Sequence, residues 1–402
     1  MRAGVGHSVN PTSTDAAIEA TRAALAQAGT ETCDLALMFA ASKHDPTQLR
    51  DGLRSVAGPA TRIAGGNAMG VVTRDYLGYE GFEVGVAVLS AGPGDDIDLF
   101  IEGPLPDNEF EVGLALGKEI RSKEYRGDPS LFLMFDAIKE MTTAGYSLNM
   151  ATPLLEGMGF GLGTWPAMAG IGMMGGLEGD TGHQWFDDRI EQGSAVALVL
   201  SGGLRMDTVI MHGNKPASGY HTVTKTDGVT ILEIDGVRAT DKLAELLGGS
   251  SGTPSEDYPV FVTFGINRGD KFGTFNEEEY QNRVVLAIDE ERGGLITYET
   301  DLKVGTEFQL MRRTFDFDYM EEKVNQLYER IGGREPILAL YVDCGARTCI
   351  FTGTEEEEAA EIQRTVGSRT PLLGMYCATE IAKVVGEVQP LHTTGVLCIL
   401  SQ

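Results

Sequence analysis

The sequence predicts an α/β protein, two domains of mixed sheets built from a repeated strand–helix–strand–turn–strand unit. Three observations carry that expectation. Apolar runs of strand length recur three times, each followed by a helical pattern. Each recurrence then meets a Gly-rich turn and closes on another apolar run. The chain has 402 residues, 42% apolar and 23% charged, an ordinary globular balance with length for two or three domains.

The first unit opens on the strand DLALMFA (34–40). A helix runs from Asp45-Pro46 to Gly58, with Asp as N-cap, Pro at the first helical position and Gly past the end. TRIAGGNAMGVV (61–72) gives a short strand and the Gly-rich turn, and FEVGVAVLSA (82–91) closes the unit. In the second unit LFLMFD (131–136) leads to an apolar helical stretch, then WPAMAGIGMMGGL (165–177) and SAVALVLSG (194–202). The third reads ILALYVD (337–343), a helix after Thr354, TPLLGMYCATEI (370–381) and TTGVLCILS (393–401). Thr354 with Glu357 reads as a capping box, and the run Glu355–Glu358 as acids favouring the helix dipole. The spacing is too long and irregular for a solenoid.

Between the second and third units the pattern changes. GVTILEIDGVRATDKLAELLG (228–248) reads as a strand, an Asp-Gly turn and an amphipathic helix. Residues 283–311 alternate at period two around Gly293-Gly294, the mark of an antiparallel meander. A helix from Phe315 to Ile331 leads into the third unit. The polar stretch around 215–227 places the domain boundary, giving domains 1–220 and 221–402.

Charge removes several functions. Fifty-nine acids against 32 bases give −27, and no basic stretch is available to neutralise nucleic-acid phosphates or meet an anionic membrane. Most of that charge is expected on a solvated surface. The uncharged run 157–177 is long enough to span a bilayer, but its glycines and mid-run Pro166 suit buried core plus a loop. Five cysteines, an odd count with no apolar leader before them, fit a reducing, cytoplasmic setting.

The chemistry candidates lie at strand ends. Gly170, Gly172 and Gly175 form a G-x-G-x-x-G, but the residues that follow are too rich in Gly and Asp to open the helix that a dinucleotide needs. The turn around Gly65, Gly66 and Asn67 either admits a ligand to the backbone or relieves crowding where strands turn. Cys344, Arg347 and Glu380 are expected at one sheet end. The guanidinium fork suits a carboxylate and the Glu an ammonium, which together fit a zwitterionic amino acid; an Arg–Glu ion pair capping the sheet is the alternative. From a different class, Cys344 activated by the Arg, with His392 as base, would make a thiol enzyme, although no nucleophile signature surrounds them. The cysteine spacings lack paired zinc motifs. No cofactor is expected; a haem would look to His7 or His392, the histidines beside hydrophobic strands.

The order of segments resembles the FIST family, an N-type domain followed by a C-type domain. The resemblance rests on GVGHSV, DLALMFAASKHDPTQLRDGL and IAGGNAMGVV on the first side. At the junction it rests on LSGGLRMDTVIMHGNKPASGYHTVTKTDGVTILEIDG. On the second side it rests on LALYVDCGARTCIFTG and PLLGMYCATEIAKVVGEVQPLHTTGVLCIL. Thr379 stands where members usually carry Gly, and Thr393-Thr394 where Asn-type positions are common. The resemblance implies an intracellular sensory module for a small ligand, with amino acids the usual suggestion and haem-dependent gas sensing in some members. It implies ligand contacts from Gly65, Gly66, Asn67, Cys344, Arg347, Tyr376, Thr379 and Glu380, and a separate signalling partner protein.

Overall fold

The computed structural model describes residues 1–79, 81–142, 145–177, 180, 182–248 and 262–402. The first unit comprises β1 (Arg2–Ser8), α1 (Ser13–Ala28), β2 (Leu35–Ala40), α2 (Pro46–Ala57), β3 (Arg62–Asn67), β4 (Gly70–Thr73), β5 (Leu77–Tyr79) and β6 (Val84–Ser90). The second comprises β7 (Asp96–Glu102), α3 (Glu109–Ser122), β8 (Ser130–Asp136), β9 (Ile138–Thr142), β10 (Gly145–Leu148), α4 (Ala151–Leu162), β11 (Ala167–Met173), β12 (Gln184–Phe186), β13 (Arg189–Glu191) and β14 (Ala195–Ser201). The third begins with β15 (Arg205–Met211) and is interrupted by an insertion: β16 (Asn214–Pro216), β17 (His221–Asp227), β18 (Thr230–Ile234), β19 (Val237–Arg238), α5 (Ala239–Leu246), β20 (Thr263–Asn267), β21 (Tyr280–Asp289), β22 (Gly294–Thr297) and β23 (Glu307–Arg313). It resumes with α6 (Asp318–Ile331), β24 (Pro336–Cys344), α7 (Cys349–Thr352), α8 (Glu358–Val366), β25 (Leu372–Cys377), β26 (Thr379–Val384), β27 (Glu387–Leu391) and β28 (Gly395–Ser401).

Each unit builds the same four-stranded sheet and completes it with a borrowed hairpin. The first sheet runs β1-β6-β2-β3-β12-β13, the second β7-β14-β8-β11-β26-β27 and the third β15-β28-β24-β25-β4-β5. The first unit therefore lends its hairpin to the third, the second to the first, and the third to the second. In each of these three sheets the two central strands pair in parallel: β2 with β3, β8 with β11 and β24 with β25.

This arrangement explains the unbroken apolar runs. One face of all three sheets meets in a shared core that includes Phe39, Met134, Ile171, Leu340, Met375 and Val396. The opposite faces lie under helix pairs, α1 and α2 on the first sheet, α3 and α4 on the second, α6 and α8 on the third. A strand buried on both faces reads as continuous hydrophobicity rather than alternation. The insertion packs a separate core, with Phe264, Ile231 and Phe308 among its members.

Local signals account for many boundaries. The Asp45 carboxylate accepts the Gln48 N–H at 2.8 Å and starts α2 with Pro46 at its first position. Asp235 and Gly236 both take positive φ, 53° and 76°, at the Asp-Gly turn, as a tight hairpin requires.

The 157–177 run, expected as buried core plus a loop, is the end of α4, a loop and β11, and no helix among the described residues is long and apolar enough to cross a membrane; several other expectations are corrected. Gly157 serves helix contact: a Cβ there would lie 2.0 Å from the Phe110 carbonyl, and one on Gly113 of the facing α3 would lie 2.0 Å from that of Leu154. Gly170 and Gly172 sit inside β11 and Gly175 lies just past its end, so the first two glycines of G-x-G-x-x-G are strand rather than turn. The last helix before β25 starts at Glu358, and Glu357 precedes it without a side-chain cap. The 283–311 stretch is a β21–β22 hairpin, after which β23 leaves to pair with β16, β17 and β20. The strand–helix pairs β1–α1 and β7–α3 open the first two units ahead of the predicted repeat.

Candidate functional site

A cavity of about 220 Å³ opens where the three units meet the insertion. Its floor is the carboxyl end of the third sheet. Cys344 ends β24 and Cys377 ends β25, and the two are direct partners in register. Gly345, Ala346, Phe351, Ala378 and His392 extend this side; Met69, just past β3, and Met174 and Leu177, just past β11, come from the first and second units. Tyr146 on β10 and Val284, Leu286 and Tyr298 from the insertion form the remaining wall. Strand carboxyl ends are where open α/β sheets receive ligands, because loops rather than side-chain layers fill the space there.

His392 is the most conspicuous polar group. Its ring is buried and packs on Tyr298 with ring centres 4.6 Å apart. Neither Nδ1 nor Nε2 has a hydrogen-bond partner among the described residues. Burial, reinforced by Arg283, pushes its pKa well below the ordinary histidine value, against the opposing pull of Asp301. The ring is thus a neutral imidazole at physiological pH, with one donor and one acceptor.

The thiols have the opposite character from an activated nucleophile. Burial, then the neighbouring Glu380, raise the Cys344 thiol well above its usual range, and Cys377 is raised for the same reasons. The Cys377 thiol donates to Glu380 Oε1 at 3.3 Å, and the other oxygen of Glu380 accepts the Thr394 N–H at 3.2 Å. Burial, then Asp343, raise the Glu380 carboxyl well above the usual carboxylate range.

Arg347 does not join this group. Its Nε lies 2.6 Å from Asp343 and one Nη 2.8 Å from Glu358, and it also donates to the Met211 carbonyl at 3.1 Å. Glu358 takes a second guanidinium, from Arg313 on β23. The expected Arg–Glu pair thus exists with different acids, and it ties the insertion to the third unit. With Arg347 held there and burial dominating, the lowered thiol pKa expected at Cys344 does not arise.

The other expected residues lie behind the cavity or away from it. Thr379 is buried beside the Tyr298 hydroxyl. Tyr376 is buried in the third unit, donates to Glu357 at 3.3 Å and meets Tyr79 edge-on. Gly65, Gly66 and Asn67 are not lining residues. Gly65 has φ 132°, and a Cβ there would sit 1.9 Å from the Met38 carbonyl; one on Gly66 would meet the Met173 sulfur at 2.6 Å. The Asn67 side chain donates to the Ala40 carbonyl at 3.1 Å and accepts the His183 N–H at 2.6 Å. These three close the seam between the first sheet and its borrowed hairpin. His7 is not a lining residue either; it stacks on Tyr76. Of the expected residues the cavity brings together Cys344 and His392. The sequence reading missed Met69, Tyr146, Met174 and Tyr298, which arrive from three separate regions with no shared motif.

Comparisons with known proteins place this architecture. The two halves match the FIST N domain over residues 34–237 and the FIST C domain over 239–383. An uncharacterized protein of Methanocaldococcus jannaschii is 24% identical over 183 residues, which span 40% of this chain and 36% of that relative. Among solved structures, cyanuric acid hydrolase from A. caulinodans aligns over 100% of this chain and 99% of its own, at 9% identity and a TM-score of 0.38. Chorismatase aligns over 93% and 94%, at 10% identity and a TM-score of 0.32. Likeness at those scores fixes neither fold nor function. The two successive domain matches do fix the family: the chain belongs to the FIST proteins, whose domains are regarded as small-ligand sensory domains in signal transduction.

Proposed function

We propose that this chain is a sensory protein whose ligand, an amino acid or a related metabolite of that size, occupies the cavity between β24, β25 and the insertion and is reported to a separate partner protein. The observation that carries the reading is His392, a buried neutral ring in the cavity wall with neither nitrogen partnered among the described residues. Buried polar groups are nearly always satisfied, and a bound molecule is one way to satisfy them. At about 220 Å³ the cavity falls below the roughly 300 Å³ at which pockets for drug-sized molecules begin. That size favours a metabolite and is too small for a haem on His392.

A signalling role follows from where the walls originate. A ligand held between Cys377 and Tyr298 bridges the third unit and the insertion, so occupancy favours one arrangement of the two. The thiol-enzyme alternative has less support, because burial, and then Glu380, disfavour the Cys344 thiolate.

Thermal shift against a metabolite panel tests the reading. A true ligand at a hundred times its Kd adds about 2.7 kcal/mol of stability, and His392→Phe should weaken that shift while leaving the unliganded protein folded. A panel that leaves the melting temperature unchanged, or a shift that His392→Phe does not reduce, would remove the proposal's support.

A further inference from the structure

The described residues of the cavity wall offer hydrogen bonds but no charge. Met69, Met174, Leu177, Val284, Leu286 and Phe351 give it apolar and sulfur surface, and no Lys, Arg, Asp or Glu is among the described residues that line it. The charged groups behind it are already committed to one another. Arg283 pairs with Asp301 through bonds of 2.9 and 2.6 Å and donates to the Pro390 carbonyl at 2.8 Å. Arg347 is held between Asp343 and Glu358. Both oxygens of Glu380 are occupied, by the Cys377 thiol and the Thr394 N–H.

A zwitterion entering this space would bring an ammonium and a carboxylate to a wall whose described residues supply no counter-ion, and burying an unpaired charge is strongly unfavourable. Apolar cavities of comparable size do accept neutral rings. What the wall lacks is a partner for His392, whose donor and acceptor remain open beside the Tyr298 ring.

We infer that the ligand of this cavity is an uncharged aromatic or heteroaromatic molecule carrying one N–H or O–H group that hydrogen-bonds to His392, rather than a zwitterionic amino acid. The inference rests on the cavity being the ligand site and narrows the metabolite class to its neutral members. The ring packs against Tyr298 and the methionines, and the polar edge meets the imidazole.

The test uses the full chain labelled with ¹⁵N-histidine and two matched pairs of probes: indole against tryptophan, and p-cresol against tyrosine. Each pair shares a ring and differs by the zwitterion. His392 is assigned from His392→Gln. Indole or p-cresol at millimolar concentration should move the His392 ring nitrogens and raise the melting temperature, and tryptophan and tyrosine should do neither. Equal or stronger effects from the amino acids overturn the neutral class while leaving the cavity as the site. If neither pair moves His392, the cavity reading falls and the inference with it. Ala346→Phe, which fills the space, should abolish the indole effect; if the effect persists in a folded variant, indole binds elsewhere and the inference fails.

Discussion

The first and third units share a frame but finish it differently. Asn67 and Tyr376 hold matching places, paired in register with Ala40 and Asp343 on the adjacent parallel strands. In the first unit a neutral amide ties the strand end to the neighbouring backbone on both sides. In the third, a buried Asp–Arg–Glu group draws the polar chemistry to one side, and the cavity opens on the other. Identical topology thus yields one closed seam and one open cavity, and side chains at a few register positions separate the two.

The contrast is sharpest in stability. Arg347→Met would leave Asp343 and Glu358 buried without their shared cation, although Glu358 keeps Arg313. Breaking a buried pair this way costs about 3–5 kcal/mol, read as a lowered midpoint in urea unfolding. A loss below 1 kcal/mol would mean that the group is dispensable and the third unit needs no special closure.

The second unit provides an intermediate case. Asp136 ends β8, pairs in register with Met173 and accepts backbone N–H groups from Ile138 and Gly193, with no cation partner among the described residues. Burial raises its pKa from 3.8 to about 6. The folded protein therefore binds the proton more tightly than the unfolded chain. The stability this gives is complete below about pH 4 and is lost as pH rises through 6. Asp136→Asn does not titrate, so between pH 4 and 7 it should gain on wild type by up to roughly 3 kcal/mol. Parallel melting curves for the two proteins across that range would contradict the assignment.

Asn67→Ala should cost about 1–3 kcal/mol, since it leaves the buried Ala40 carbonyl and His183 N–H short of a partner. It should leave any ligand-induced thermal shift unchanged, because the first seam is structural. The smallest pair concerns helix starts. Asp45→Ala should cost about 1 kcal/mol, whereas Thr354→Ala should stay within about 0.5 kcal/mol, the usual range for a substitution away from a cap. The Thr354 hydroxyl lies 2.7 Å from that of Thr352 and caps nothing. Equal losses would restore the capping box.

The same two helix starts show what was legible. Asp45, Pro46 and Gly58 act through neighbours three or four residues away, so local sequence carries the whole signal. Glu357 and Glu358 looked like solvated acids at a helix dipole, yet Glu358 is buried with partners 11 and 45 residues off along the chain, Arg347 and Arg313. Glu299 is another acid in the interior. Its two oxygens accept the N–H groups of Ala151 and Thr152 at 2.9 Å each, at the start of α4. Part of the acidic excess therefore works inside the fold. The strands were legible because burial on both faces leaves continuous apolar runs. The exchange of hairpins was not, since pieces as short as β4 and β12 carry no mark of which edge they join. His392 stood out beside a hydrophobic strand, but its companion Tyr298 comes from the insertion 94 positions earlier.

The lent hairpins make the three units a ring of mutual hostages. A chain divided at residue 220 would give an amino-terminal piece holding β4–β5 with no β25 to lie on and a bare β11 edge where β26 belongs. The carboxyl-terminal piece would hold the reverse. Unpaired edges of that kind invite aggregation. Each fragment made alone should be insoluble, and the two made together should fold by giving back what the other lacks.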